Sequence, residues 1–307
     1  MTSIIIAGGR ERLQYVLSRI PEMLDTLSAV IIMKEDGHEE IWSDKIQALL
    51  DEKGIPNVTA KSFNNSKVKD LITSLPKSVL LCENWRTMIS DDDIEKFEDV
   101  IIFHESLLPK YRGFAPLTWP IINGESETGV SMFYVASDVD AGDIIKQVRI
   151  PIEDHHTSFD LFRKTYDLYL ELISWLIQKI KNKEPIEGQK QDHSKATFGC
   201  MRTLEDSQID WKDSTQNIYN FIRALAPPFL PGAFTEYDGQ RVFIAKAHIN
   251  RSQYHYVGRI PGRIIGFKDS IVSVLTGDGI IDIEYVILDN EELPAIQVFS
   301  RMKVKLK

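Results

Sequence analysis

The sequence predicts an α/β protein: a mostly parallel sheet covered by helices, followed by a smaller C-terminal β-rich, barrel-like domain. Three observations carry this. From Ser3 to Ile152 short apolar runs alternate with helical patterns, and strands that are apolar throughout belong in parallel sheets buried on both faces. A long amphipathic helix pattern follows. From Gly232 onward the chain turns to short strands punctuated by turn residues, as antiparallel barrel-like domains do.

Ser3–Ala7 (SIIIA) predicts the first buried strand. Gly8-Gly9 then turn the chain into a helix through Leu13, Val16 and Ile20. Adjacent glycines suggest backbone at positive φ; the spacing is not the GxGxxG of a dinucleotide site. Val30–Met33 predicts a second strand, followed by a helix with Ile41, Ile46, Leu49 and Leu50. Gly54-Ile55-Pro56 breaks the chain before a short strand near Val58. Val79–Cys82 and Val100–Phe103 read as apolar strands separated by a helix, with Asp91 as its N-cap. Gly129–Val135 and Asp143–Ile152 predict strands nearer the sheet edge.

The clearest helix runs from about Phe159 to Lys181. Phe159, Phe162, Tyr166, Tyr169, Ile173, Leu176 and Ile180 recur at three- and four-residue spacing. Thr157 or Ser158 can cap it, and its aromatic stripe reads as core. The polar stretch Lys181–Ala196 opens a linker, which places a catalytic domain at 1–186, a linker at 187–204 and the β-rich domain at 205–307. Strands are expected there at Gly232–Tyr237, Arg241–Ala247, Gly262–Gly266, Ile271–Thr276 and Ile280–Leu288.

Composition narrows the classes. With 43% hydrophobic and 26% charged residues the chain reads as a globular protein, and no apolar run approaches the ~18 residues of a membrane helix. Cys82 and Cys200 suit a reducing, cytoplasmic setting and cannot build a disulfide framework. There is no CxxC or HExxH and no clustered His/Cys pattern, so no metal is expected. Beyond residue 200 there are 13 basic and 13 acidic residues, so the net −9 lies in the first 200. A clamp for a polyanion shows a basic face; nucleic acid is therefore disfavoured. Lys303, Lys305 and Lys307 read as a solvated strand edge.

Chemistry is sought at the carboxyl ends of strands. His104 follows the strand Val100–Phe103, and Asp138-Val139-Asp140-Ala141-Gly142-Asp143 forms an acidic turn before another strand. Each alone has an ordinary explanation, a hydrogen-bonded structural histidine and a self-capping turn.

Together they match a pattern. The stretch HESLLPKYRGFAPLTWPIINGESETGVSMF from His104, followed by DAGDII from Asp140, resembles the core motif of the folate-dependent formyltransferases. The similarity is greatest to the amino-sugar N-formyltransferases, whose sugars are nucleotide-linked, and more distant to methionyl-tRNA formyltransferases. It continues at Phe198-Gly199, Arg202-Thr203, Asp206-Ser207, Trp211, Ile222-Arg223-Ala224 and Pro231-Gly232-Ala233-Phe234.

The resemblance implies a Rossmann-like catalytic domain, 10-formyltetrahydrofolate as co-substrate and the primary amine of an amino sugar as acceptor. An amine attacking a formyl carbon must lose a proton and form an oxyanion. The resemblance gives the proton to His104, whose residue type suits it, and gives Asp140 the task of orienting the ring, with Asp143 second. It places the pterin against Trp85, Arg86, Thr87, Met88 and Ile89, against the turn Ala136, Ser137, Asp138 and Val139, and near Phe114. It assigns the acceptor to Ser106, Lys110, Tyr111, Arg112, Arg202 and Arg223. The oligomeric state is open, with a homodimer among the options.

Two positions depart from the pattern. Ile102 stands where relatives carry an asparagine that polarises the formyl carbonyl, a contact often worth ~2.7–4 kcal/mol; Asn84 is the candidate replacement. Phe114 stands where the amino-sugar enzymes have an arginine against folate. These departures keep a non-catalytic binding protein in view as an alternative. A methionyl-tRNA formyltransferase is the other, against which the charge balance speaks.

Overall fold

The computed structural model describes residues 3–20, 24–37, 40–228, 232–252, 254–302 and 304–307. The chain divides into two units that alternate along the sequence. The first comprises Met1–Arg112, Gly129–Arg149 and Lys164–Thr197; the second comprises Gly113–Thr128, Ile150–Arg163 and Phe198–Lys307.

In the first unit the apolar runs become β1 (Ile4–Gly8), β2 (Leu27–Met33), β3 (Asn57–Ala60), β4 (Val79–Glu83) and β5 (Val100–His104). After the two-residue β6 (Arg112–Gly113) come β7 (Glu127–Tyr134) and β8 (Ile144–Pro151). The sheet order is β3-β2-β1-β4-β5-β7-β8, parallel from β3 to β5, with β7 antiparallel to β5. The order reverses between β1 and β4, where sheets of this kind place ligands at the carboxyl ends. Ile5, Ala7, Ile31, Leu80 and Phe97 form one buried cluster, against which Ile102, Trp85, Ile89 and Val135 pack.

Local chemistry sets the helix ends. The helices are α1 (Arg10–Arg19), α2 (Ser43–Glu52), α3 (Ser66–Ser74), α4 (Asp91–Ile94), α5 (Thr118–Ile122) and α6 (Ser158–Lys181). Asn65 caps α3 by accepting from the Lys67 N–H. The cap of α4 is Ser90, not Asp91: its hydroxyl accepts from the Asp93 N–H, and Asp91 supplies acidic charge to the first turn. At α6, Thr157 Oγ1 accepts from the Asp160 N–H at 3.1 Å while the Asp160 carboxylate accepts from the Thr157 N–H at 2.8 Å, a reciprocal cap. Tyr166, Tyr169, Leu172, Ile173 and Leu176 of α6 are buried, so the aromatic stripe is core.

Gly8 and Gly9 differ from the expectation. Gly9 has φ −172°, which is extended, and the positive φ falls on Arg10. The glycines are needed for closeness instead: a Cβ on Gly8 would lie 2.4 Å from the Glu83 carbonyl oxygen, and one on Gly9 3.0 Å from the Met33 Cβ.

The second unit contains the two-residue β9 (Phe198–Gly199) and α7 (Thr215–Ala224), a helix the sequence reading did not separate from its surroundings. Its antiparallel sheet has the order β10-β11-β14-β13-β12, with β15 on β14. These strands are β10 (Ala233–Tyr237), β11 (Gln240–Ile249), β12 (Ile264–Lys268), β13 (Ile271–Leu275), β14 (Ile280–Leu288) and β15 (Glu291–Pro294), followed by α8 (Ala295–Val298). Trp211, Ile218, Ile222, Ile244, Val272, Ile281 and Phe299 fill the core, and the Trp211 indole N–H donates to Thr235 Oγ1 at 3.0 Å.

The tail is not a free edge. The Lys307 carbonyl accepts from the Glu236 N–H of β10, while the Leu306 N–H donates to Gly262 and Lys305 bridges Arg263 beside β12. The two end strands of the sheet are thus both bonded to the tail, which closes the barrel. Lys305 and Lys307 are paired through their backbone; Lys303 and Pro231 lie outside the described residues.

Candidate active site

His104 is the last residue of β5 and is buried. Its Nε2 lies 2.7 Å from the Tyr111 carbonyl oxygen. A carbonyl only accepts, so Nε2 carries the hydrogen and Nδ1 keeps the lone pair. Nδ1 faces Asp140 Oδ2 at 3.6 Å. Two acceptors cannot bond, but a proton arriving at Nδ1 turns the contact into an ion pair. The arrangement suits a group that takes a proton during reaction.

The turn carrying Asp140 is fixed from behind. Asp140 has φ +49°, a conformation Asp adopts more readily than most residues. A Cβ on Gly142 would stand 1.7 Å from the Tyr134 carbonyl oxygen, so only glycine fits. Gln191 Nε2 donates to the carbonyls of Asp140 and Gly142 at 2.8 and 2.7 Å, and its Oε1 accepts from Arg112 Nη2 at 2.6 Å. Arg112 Nη2 also lies 3.1 Å from His193 Nδ1. The backbone carbonyl of Asp143 accepts from the Tyr134 N–H. Asp140 is the carboxylate paired with His104 among the described residues.

Asn84 follows β4 with φ +54°. The β4–β5 pairing ends at Cys82↔Ile102, and Asn84 and His104 each lie two residues further along their own segments. Ile102 packs against the cluster that also receives Trp85, Ile89 and Val135. That apolar niche explains its residue type.

The expected pterin segment is mixed. Met88 is 86% exposed, while Phe63 meets the Trp85 ring edge-on at 5.0 Å. Arg86 lies 3.6 Å from Asp36, and partial burial lowers its pKa. Trp85 Nε1 and Thr87 Oγ1 are buried with no hydrogen-bond partner in the protein, an unusual state for polar atoms and one that a hydrogen-bonding ligand can relieve. This segment therefore fits a pterin. Ala136, Ser137, Asp138 and Val139 are exposed on the turn before Asp140.

The residues expected to meet the acceptor separate into two groups. Ser106 is buried and donates to the Lys110 carbonyl at 2.7 Å, and Arg112 is taken up by Gln191 and His193. Arg223 bonds Asn220 and the carbonyls of Glu153 and His156. These three support the structure around them. Lys110 is exposed and Tyr111, with φ +59°, partly so. In the second unit Phe114 and Arg202 line one cavity of about 400 Å³ with Met201, Thr203 and Leu204, and the Arg202 guanidinium lies 5.2 Å from both the Trp119 and Phe221 rings. Sequence reasoning missed Gln191 and the Tyr111 carbonyl, whose roles depend on backbone geometry.

Comparison with known proteins gives the family. The family model described as formyl transferase matches residues 28–177, and that of the formyl transferase C-terminal domain matches residues 202–302. The chain belongs to the formyl transferase family. The bifunctional polymyxin resistance protein ArnA of Wigglesworthia glossinidia brevipalpis is 32% identical over 249 residues, which is 80% of this chain and 37% of that protein. The chain thus spans little more than a third of that relative. An N-formyltransferase from Helicobacter canadensis, solved with folinic acid and dTDP-3-aminofucose, superposes with a TM-score of 0.67 at 23% identity, covering 92% of this chain and 98% of that one. Methionyl-tRNA formyltransferase from Clostridium thermocellum gives 0.59 at 22% identity, covering 82% and 96%.

Proposed function

We propose that this chain is an N-formyltransferase that moves a formyl group from 10-formyltetrahydrofolate to the primary amine of a nucleotide-linked amino sugar. The observation that carries the reading is the His104 Nδ1 lone pair aimed at Asp140 in a turn that Gly142 and Gln191 hold rigid. The similarity to ArnA and to an enzyme solved with an amino sugar supports the acceptor class.

The donor supplies an activated formyl carbon. Trp85 and Thr87, with unsatisfied buried polar atoms, and the exposed residues Ala136–Val139 are the groups that would hold it. As the acceptor nitrogen bonds to that carbon, His104 Nδ1 takes its proton and Asp140 stabilises the imidazolium. The same proton is then available to the departing amine of the donor. Asn84, at the end of the preceding strand, is the side-chain donor assigned to the oxyanion. Phe114 and Arg202, sharing one cavity, would meet one ligand, an aromatic face and a cation together.

The test is incubation with 10-formyltetrahydrofolate and a panel of nucleotide-linked amino sugars, with formylated product read by mass spectrometry. The expected result is product from at least one sugar and none from His104→Ala. Product from methionyl-tRNA alone would replace the acceptor, and absence of product with every acceptor would remove the enzymatic reading.

A further inference from the structure

Arg12 lies in α1, far in sequence from the histidine and aspartate, and is almost wholly buried. Its Nε donates to Glu83 Oε1 at 2.6 Å and its Nη2 to Glu105 Oε1 at 2.7 Å. Nη1 reaches Thr165 Oγ1 at 3.2 Å, and the guanidinium lies 4.0 Å from the Tyr169 ring centroid, one turn further along α6. The Tyr169 hydroxyl donates to Glu105 Oε1 at 3.2 Å.

The two carboxylates occupy significant places. Glu83 ends β4 and precedes Asn84; Glu105 directly follows His104 at the end of β5. Each is the chain neighbour of a candidate catalytic group. Stability alone does not call for such a cluster, because apolar side chains of similar volume often serve as well as a buried ion pair. What a guanidinium fork adds is direction, with bond vectors fixed to more than one acceptor.

We propose that Arg12 is a positioning residue: by tying Glu83 to Glu105 it holds the ends of β4 and β5 in register, and so fixes Asn84 and His104 against each other. The inference rests on the reading of His104 as proton acceptor. Gly8 takes part, because its missing side chain lets Glu83 approach β1. Charge is placed to match. Burial pushes the Glu83 carboxyl up despite Arg12. For Glu105 burial acts in the same sense, but Arg12 and the His104 ring overcome it and hold the carboxyl below its usual range. Negative charge therefore concentrates on the carboxylate next to His104. Among the described residues, Asp140 on the β7–β8 turn faces the histidine at 3.6 Å, and the charge of Glu105 is felt between the two chain neighbours.

Arg12→Lys and Glu105→Gln in the full chain test this. Arg12→Lys keeps the charge and loses the fork, so kcat should fall by about 10- to 100-fold while KM for the formyl donor stays near the parent value. In Glu105→Gln a carboxylate favouring the protonated ring is gone, and the acidic limb of the kcat profile should move to lower pH. Parent kcat in folded Arg12→Lys, or equal losses in kcat and donor affinity that track the melting temperature, would overturn the proposal. Should Arg12→Lys not fold, NMR titration of the His104 ring in Glu105→Gln decides: a ring titrating at lower pH supports the proposal and an unmoved ring overturns it. That titration needs no substrate. A fully active His104→Ala would remove the catalytic reading independently.

Discussion

The Asp140 turn and the Trp85–Ile89 segment flank the same strand end but are built in opposite ways. In the turn, backbone carbonyls are bonded by Gln191, a glycine fills a gap too small for any other residue, and the carboxylate already faces its histidine. In the segment, Met88 stands in solvent and two buried polar atoms lack protein partners. On the proposed reading, the contrast teaches that the groups assigned to proton transfer are organised in advance, whereas those assigned to the donor would be completed by it. Preorganisation is useful where charge develops in the transition state; a binding surface can gain its last contacts on binding.

The strongest way to break this comparison is His104→Ala, which should lower turnover ~10²–10⁴-fold and leave donor affinity and thermal stability close to the parent. A folded variant with near-parent rates would place the proton acceptor elsewhere. Asp140→Asn comes next: the shape stays, the charge goes, and the acidic limb of the rate profile should shift to lower pH with reduced kcat. Asp143→Asn serves as its control, expected to change little; a reversal of the two would move the carboxylate to Asp143.

Ile102→Asn tests the apolar niche. We expect no gain in rate and a stability loss of about 1–3 kcal/mol, the usual cost of burying a polar group without a partner, read by chemical denaturation. A large gain from negligible parent activity would instead mark the chain as a formyltransferase fold that had lost turnover. The smallest effect belongs to Trp85→Phe. Removing an indole N–H that has no protein partner should leave stability nearly unchanged, while donor affinity weakens by about the ~0.5–1.5 kcal/mol of one hydrogen bond. Unchanged affinity by calorimetry would mean that the donor leaves this atom alone.

Much of this was legible in the sequence. Every strand from Ile4 to Leu288 longer than two residues sits on or near an apolar run, because burial on both faces of a sheet demands such runs. The short helix Thr215–Ala224 was legible and was passed over: Ile218, Phe221, Ile222 and Leu225 recur at three- and four-residue spacing behind the Ser214 cap. Within the candidate site, the histidine and the acidic turn were visible as residues at a strand end. Their supports were not. Arg12 reads as an ordinary solvated side chain in an exposed helix, and nothing in its neighbours announces carboxylates more than 70 residues away. Ser106, Arg112 and Arg223 show another side of this: a polar residue inside a motif reads as a ligand contact, and only coordinates show the hydrogen bonds it makes within the protein.

The tail of the second unit works as a clasp. Val304 and Leu306 bond beside β12, and Lys307 bonds β10 next to the Phe234 carbonyl that Ile209 occupies, so a handful of residues cover N–H and C=O groups on both strands that would otherwise be free. Uncovered strands of this kind recruit other chains. Removing the bonds of residues 304–307 would therefore be felt less in turnover than in solubility, with molecules joining through the edge groups of β12 and of β10 at Glu236 that are bared.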